Sequence, residues 1–315
     1  MNHLAENSKG GVTITDVTLR EYGQNVPAAC LDIFTPRIRL EIAKRLLKAG
    51  FQNIEILSCI HPAIAPAMNE DALKEIAAGL GRVEGVHLIT LVPNTAGYRN
   101  FLDMGLGPSG YNHTMGIFFS AVEAHNLANL GRPIKETLDE YRKILRDAAA
   151  NKIRIVAYIS GAFGYFDPKK GVLIDADMEE VISYMDLLFE LGAQTVTLSD
   201  LQGVANEKKT GRFFETLLSG RRAQDINKIG YHPHNISGEA AIANSKTAYS
   251  LGIRRFDGSL GGTGGCITGA PGNQPTERLV RSFHESRIDT GLNEQKIFAL
   301  KNMIERELFK KISLQ

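Results

Sequence analysis

Short runs of β-branched and apolar residues alternate with helix-patterned segments along almost the whole chain, and this alternation restricts the fold more than any other feature. Eight strand candidates succeed one another: Val12 to Leu19, Asn53 to Leu57, Val86 to Val92, Gly110 to Ser120, Ile153 to Ser160, Gln194 to Ser199, Lys228 to His234 and Arg254 to Ser259. Between them lie helices with start and stop signals. Thr35 is placed to cap one, Pro36 takes its first position, Ile38, Ile42 and Leu46 share a face, and Gly50 ends it. Similar units run from Met178 to Leu191, stopping at Gly192, and from Gly238 to Leu251, stopping at Gly252. No Pro/Gly/Ser linker divides the chain. Eight such units in about 250 residues predict the α/β class and a closed parallel (β/α)8 TIM barrel. An open doubly wound sheet would need a Gly-rich phosphate loop after its first strand, where this chain has LREYGQN. Beyond the eighth strand, Ile297, Leu300, Ile304 and Leu308 form an amphipathic stripe, so extra C-terminal helices are expected to pack on the barrel or on a partner subunit. The expected organisation is a flexible N-terminal tail over 1–11 and one catalytic domain over 12–315.

Bulk properties narrow the partners. A chain of 315 residues with 43% hydrophobic content buries a large core. Lys+Arg number 36 against Asp+Glu 35, and no basic run stands out, which argues against nucleic acid or an anionic membrane and leaves a small molecule as the expected partner. The start, MNHLAENSKGG, has no apolar signal region, and no apolar run approaches the ~18 residues of a membrane span. Cys30, Cys59 and Cys266 are odd in number and widely spaced, which points away from a disulfide framework and towards the reducing cytoplasm.

In a barrel of this kind the active site lies at the C-terminal strand ends. Those ends carry Arg20, Glu21 and Gln24 at the first strand, Glu55 and Ser58 at the second, Ser199 and Asp200 at the sixth, and His232 and His234 at the seventh. The i, i+2 spacing of His232 and His234 puts both imidazoles on one face of a strand. Alone, that pair reads more readily as two partly exposed loop histidines; Glu21 at the same end of the barrel shifts the reading towards a site for a divalent ion. Arg20 presents fixed donors suited to an oxyanion or a carboxylate, or else makes a structural ion pair with Glu55 or Asp200. Lys152 and Lys228 fall at strand starts, so Schiff-base chemistry is disfavoured and a metal Lewis acid is the remaining way to stabilise an enolate. After the eighth strand, GGTGGCITGAPGN is a glycine-rich loop with Cys266, either an acid/base or nucleophilic thiol or a bystander in a lid hinge, and a phosphate contact there fits a coenzyme A substrate only weakly.

Taken together, DVTLREYGQN (Asp16 to Asn25), NIEILS (Asn53 to Ser58), LSDLQGV (Leu198 to Val204), HPHN (His232 to Asn235) and GGTGGCITGAPGN (Gly261 to Asn273) resemble the DRE-TIM metallolyase superfamily, and within it the 3-hydroxy-3-methylglutaryl-CoA lyase family. The resemblance spans the barrel from Val12 to Val280. It implies Mg2+ or Mn2+ held by Glu21, His232, His234 and Asn273, with Arg20 stabilising the enolate of departing acetyl-CoA. It implies that Glu55, Asp200, Gln24 and Ser58 serve catalysis or substrate positioning, that Cys266 assists proton transfer from a closing loop, and that the enzyme is a homodimer acting on an acyl-CoA. The implied reaction is a retro-Claisen cleavage to acetyl-CoA and a keto acid. Some positions depart from the lyase pattern: Glu21 stands for its usual Asp and resembles the homocitrate synthase branch, HPHN stands for HCHD, Ser199-Asp200-Leu201 stands for GDT, and the loop from Cys266 to Asn273 is shorter. The alternatives are a Claisen-condensing acyltransferase of the isopropylmalate or homocitrate synthase kind, a metal-dependent pyruvate aldolase, and a catalytically silent binding barrel.

Overall fold

All eight expected strands form. In the computed structural model, which describes residues 11–236, 239–264 and 272–309, the strands are β1 (Thr13–Asp16), β2 (Asn53–Ser58), β3 (His87–Leu91), β4 (Thr114–Ser120), β5 (Ile155–Ser160), β6 (Tyr165–Asp167), β7 (Val172–Ile174), β8 (Thr195–Asp200), β9 (Ile229–Pro233) and β10 (Arg255–Gly258). The parallel strands close in the order β1-β2-β3-β4-β5-β8-β9-β10, with β10 returning to β1 in the register Thr13↔Arg255 to Asp16↔Gly258. Helices cover the outside between successive strands, giving the TIM barrel. The antiparallel pair β6/β7 lies outside the barrel and was not anticipated; strands of three residues are too short to show a period.

Sequence signals set the helix ends closely. The helix Pro36–Ala49 is capped by Thr35, whose hydroxyl accepts from the Ile38 N–H at 3.4 Å, and it buries Ile42 and Leu46 with Ile38 packed at the edge of the core. It ends at Gly50 with φ 104°, where a Cβ would lie 2.7 Å from the Gly291 carbonyl oxygen. The helices Met178–Glu190 and Ala240–Ser250 likewise end before left-handed Gly192 and Gly252. The C-terminal stripe packs within the chain: Ile297, Leu300, Ile304 and Leu308 are buried, and the Asn293 N–H reaches the Ala49 carbonyl at 2.8 Å.

Two strand ends differ from expectation by three residues or more. The first strand does not run to Leu19 but stops at Asp16, because the Asp16 carboxylate accepts from the Thr18 N–H at 3.1 Å and from the Thr18 hydroxyl at 3.0 Å, turning the chain into the helix Thr18–Asn25. Arg20, Glu21 and Gln24 therefore stand on a helix, with Arg20 and Gln24 one turn apart. The fourth strand begins at Thr114 rather than Gly110, since the preceding residues form a turn with Asn112 at φ 60° and the His113 N–H bonded to the Leu106 carbonyl at 2.7 Å. Lys152 and Lys228 lie, as expected, ahead of β5 and β9 at the N-terminal face. Among the described residues no helix is long and apolar enough to cross a membrane. The expected tail falls almost wholly on residues 1–10, outside the described residues.

The barrel floor is built from neutral polar groups. His113 Nδ1 meets the Thr90 hydroxyl at 2.9 Å, and His87 Nδ1 meets Thr114 at 3.3 Å. Burial, helped by the positive charge of Arg154, pulls the His113 pKa down to about 4. A histidine lowered in the folded state takes up protons more readily when unfolded, so its stabilisation is present above pH 6.5 and is lost as pH falls towards 4. Buried Asp16 and Asp200, raised by burial to about 7 and about 6, act in the opposite direction over part of that range. Comparison with a variant isolates the histidine. Relative to wild type, His113→Gln should gain up to about 3 kcal/mol between pH 7 and pH 4 as read by urea unfolding; a pH-independent difference would refute the buried neutral histidine.

Candidate metal centre and active site

β9 carries His232, and the chain continues straight enough for His234 to bridge Asn273 as an isolated antiparallel pair. The strand period turns both rings to one side, and their Nε2 atoms lie 3.1 Å apart. Two imidazole nitrogens at that distance repel unless a proton or a cation lies between them. Glu21 completes the group: one ligand atom from each of Glu21, His232 and His234 lies within 4.8 Å of the others, and all three residues are buried. Behind the cluster, Asp257 Oδ2 stands 3.1 Å from His232 Nδ1, which favours the tautomer that leaves the Nε2 lone pair facing forward. Burial alone would lower the His232 pKa; the Asp257 carboxylate, with Glu21 beyond it, outweighs burial and raises it.

Asn273 supplies a fourth donor atom, an amide oxygen. Its Nδ2 donates to the Thr263 carbonyl at 2.9 Å, while its Oδ1 is buried without a hydrogen-bond partner. An orphaned carbonyl oxygen with a carboxylate and two imidazoles is a donor set that suits Mg2+ or Mn2+. Gly264 makes the close approach of this loop possible. At φ +84° its Cβ would lie 2.5 Å from Glu21 Cβ and 3.1 Å from Asn273 Nδ2.

Arg20 links this centre to the rest of the pocket. Its Nε donates to Glu55 Oε2 at 2.6 Å and Nη1 to Gln24 Oε1 at 2.9 Å, and Nη1 also pairs with Glu21. Burial opposes its charge, but Glu21 and Glu55 outweigh burial and raise its pKa. Burial raises the Glu55 pKa, against the pull of Arg20. A pocket of about 220 Å³ opens over these groups, with Arg20, Glu21, Gln24, Ser199 and His232 on its polar side and Leu91, Phe118 and Leu201 on its apolar side. The arrangement can hold a divalent ion at the base and set guanidinium donors against an oxyanion beside it.

The other predicted residues are placed differently. The Asp200 carboxylate turns away from the cluster and accepts from the Val204 and Ala205 N–H groups at 2.8 and 2.9 Å, so it shapes the loop after β8. Ser58 is buried at the end of β2, and its hydroxyl has no hydrogen-bond partner. Cys266 lies outside the described residues. Sequence reasoning missed Asp257, although strand alternation on β10 puts it inward, and it missed Tyr158, an inward residue of β5 lining the pocket. Asp16 was also missed: it takes Thr276 Oγ1 at 3.3 Å besides Thr18 and ties the first strand to the chain after β10.

The HMGL-like family model matches residues 11–304. A hydroxymethylglutaryl-CoA lyase of Bacillus subtilis is 33% identical over 301 residues, covering 95% of this chain and 94% of that one. An (R)-citramalyl-CoA lyase of Chloroflexus aurantiacus is 30% identical over 311 residues, covering 94% and 91%. Among solved structures, an HMG-CoA lyase from Acinetobacter baumannii in complex with coenzyme A and 3-methylmalate superimposes with a TM-score of 0.82 at 25% identity, covering 95% and 92%. With the family model spanning the whole barrel and its relatives covered almost end to end, the chain belongs to the HMGL-like family and is a lyase.

Proposed function

We propose that this protein is a divalent-metal-dependent lyase that cleaves a 3-hydroxy-3-methylglutaryl-CoA-like thioester to acetyl-CoA and a keto acid. The observation that carries the reading is the convergence of Glu21, His232, His234 and the orphaned Asn273 Oδ1 at the base of a pocket whose cation is Arg20. A bound Mg2+ or Mn2+ would supply Lewis acidity that makes the substrate's tertiary hydroxyl easier to deprotonate. A general base then takes that proton, the carbinol carbon becomes the ketone of the keto acid, and the bond to the α-carbon breaks. The bonding pair passes into the thioester as an enolate, whose oxygen faces the Arg20 donors, and the α-carbon takes up a proton to give acetyl-CoA. Glu55 and Gln24 hold the guanidinium from two sides. Cys266 is proposed as the proton donor from the resemblance of its loop. The same reading makes the enzyme a cytoplasmic homodimer.

A second substrate deserves a place in the same chemistry, because the relative from Chloroflexus aurantiacus at 30% identity is a citramalyl-CoA lyase. The two substrates share the hydroxyacyl thioester and differ in the acid released. Purified protein with Mn2+ is expected to release acetyl-CoA from one of these thioesters and to stop on EDTA; turnover that survives EDTA would remove the metal from the reaction. Arg20→Gln should lower kcat about 10²- to 10³-fold, and activity near wild type would remove Arg20 from the enolate. Asp257→Asn, which leaves the ligands themselves intact, should weaken Mn2+ binding about 10- to 100-fold by calorimetry. Unchanged affinity in that variant and in His234→Ala together would place any metal elsewhere.

A further inference from the structure

Besides Arg20 at its base, the pocket has a second guanidinium at its rim, that of Arg132, and among the described residues no lysine lines it. Arg132 lies in the turn between the helices Glu123–Leu130 and Ile134–Ala150. Its Nη2 donates to the carbonyl of Pro93, two residues past the end of β3, at 3.0 Å. The guanidinium lies 6.0 Å from the centre of the Tyr141 ring, whose hydroxyl donates to the Phe118 carbonyl on β4 at 2.8 Å. These contacts set the charge above the ends of β3 and β4. His232 stands on β9, which in the closed barrel is four strands from β3 in either direction. Arg132 and the histidine cluster therefore occupy opposite walls of one cavity, with Leu91 and Phe118 lining it below Arg132.

Arg132 is fixed in place. Nη1 pairs with Glu140, and the other oxygen of that carboxylate accepts from the Thr95 N–H at 2.8 Å and the Thr95 hydroxyl at 2.6 Å. The two side chains are 21% and 22% exposed, so an anion bound there is partly withdrawn from water and pairs more strongly than on an open surface. Nη1 and Nη2 each make one of these contacts and each carries a second N–H, which leaves the fork donors for an anion entering the cavity. Arg20 is committed at the other end, with Nε and Nη2 on Glu55 and Nη1 on Gln24 and Glu21.

The substrate proposed above has two polar ends. Its hydroxyl and thioester belong at Arg20 and the cluster of Glu21, His232 and His234, and the free carboxylate of its acid half lies beyond the carbinol carbon. A short carbon chain passing Leu91 and Phe118 carries that carboxylate to the opposite wall. We propose that Arg132 is a specificity-determining residue that binds this carboxylate and so selects monothioesters of hydroxy-dicarboxylic acids. The inference rests on the lyase reading above. A coenzyme A phosphate shares the anionic chemistry, but the Glu140 carboxylate beside Arg132 disfavours the more highly charged group.

Arg132→Met keeps the apolar stem and removes the charge. With Mn2+, wild type should cleave its better thioester, 3-hydroxy-3-methylglutaryl-CoA or citramalyl-CoA, at least about tenfold better in kcat/KM than the same thioester with the free carboxylate converted to an amide. In Arg132→Met that preference should fall to within about threefold of parity, chiefly through KM. Because this variant leaves Glu140 unpaired, Arg132→Met combined with Glu140→Gln should show the same collapse. A preference that survives in both variants would overturn the proposal. Calorimetry reads binding without turnover. With Mn2+ present, 3-hydroxy-3-methylglutarate or citramalate, whichever binds wild type more tightly, should bind both variants at least about tenfold more weakly, while coenzyme A binds all three proteins alike. Equal binding of the acid by all three would overturn the proposal, and so would a loss confined to coenzyme A, which would assign Arg132 to a phosphate. If the wild type binds Mn2+ but cleaves no hydroxyacyl thioester, the lyase reading fails by itself, and the calorimetry still decides whether Arg132 holds the carboxylate.

Discussion

Closure of the barrel through β1 and β10 is the constraint on which the site depends. The register ends with Asp16 opposite Gly258, and past that point the two strand ends are cross-tied: the Val17 N–H donates to the Gly258 carbonyl at 2.9 Å, the Leu260 N–H to the Thr18 hydroxyl at 2.8 Å, and Thr276 to the Asp16 carboxylate. These bonds join residues from opposite ends of the chain. They set the helix carrying Arg20 and Glu21 against the loop carrying Gly264 and Asn273, and β9 beside β10 then delivers His232 next to Asp257. The oxygen donors of Glu21 and Asn273 and the nitrogen donors of His232 and His234 therefore come from three segments far apart in sequence, and a slip of one residue in that pairing would move Glu21 relative to the others.

The sequence was most legible where local rules act without competition. Thr35, Pro36 and Gly50 mark helix ends through backbone chemistry that needs no tertiary partner, and the strand runs were recognisable because a parallel barrel buries them on both faces. Boundaries failed where a side chain intervened. Asp16 ends β1 by bonding its own neighbour, so the apolar reading through Leu19 ran past the true turn. The grouping of Glu21, His232 and His234 was legible because His232 and His234 obey the strand period and Glu21 falls at the same end of the barrel. Asp257 and Tyr158 were not, because an inward carboxylate or phenol gains its meaning from the side chain it faces, and that partner lies on another strand. Asp200 sits at a strand end like the others, yet its carboxylate is satisfied by the N–H groups of Val204 and Ala205, a local turn that competes with any role in the pocket.

The charge balance of the mouth gives the physical reason for expecting a dication. Among the described residues, Glu21, Glu55 and Asp257 bring three buried carboxylates to the site, and the buried Arg20 guanidinium pairs with the first two while His232 faces Asp257. Burying unpaired charge is costly, so the excess is relieved either by protonation or by a bound cation. The raised pKa values of Glu55 and His232 mark the first route in the protein alone, one by burial and the other by its carboxylate neighbours. A divalent ion among Glu21, His232, His234 and Asn273 would relieve the same excess without a proton, at the point where two imidazole nitrogens already crowd one another. Glu21 would then be shared between the ion and Arg20. Glu55 holds Nε and Nη2 of the same guanidinium. With such an ion bound, Glu21 would couple it to the guanidinium through one carboxylate.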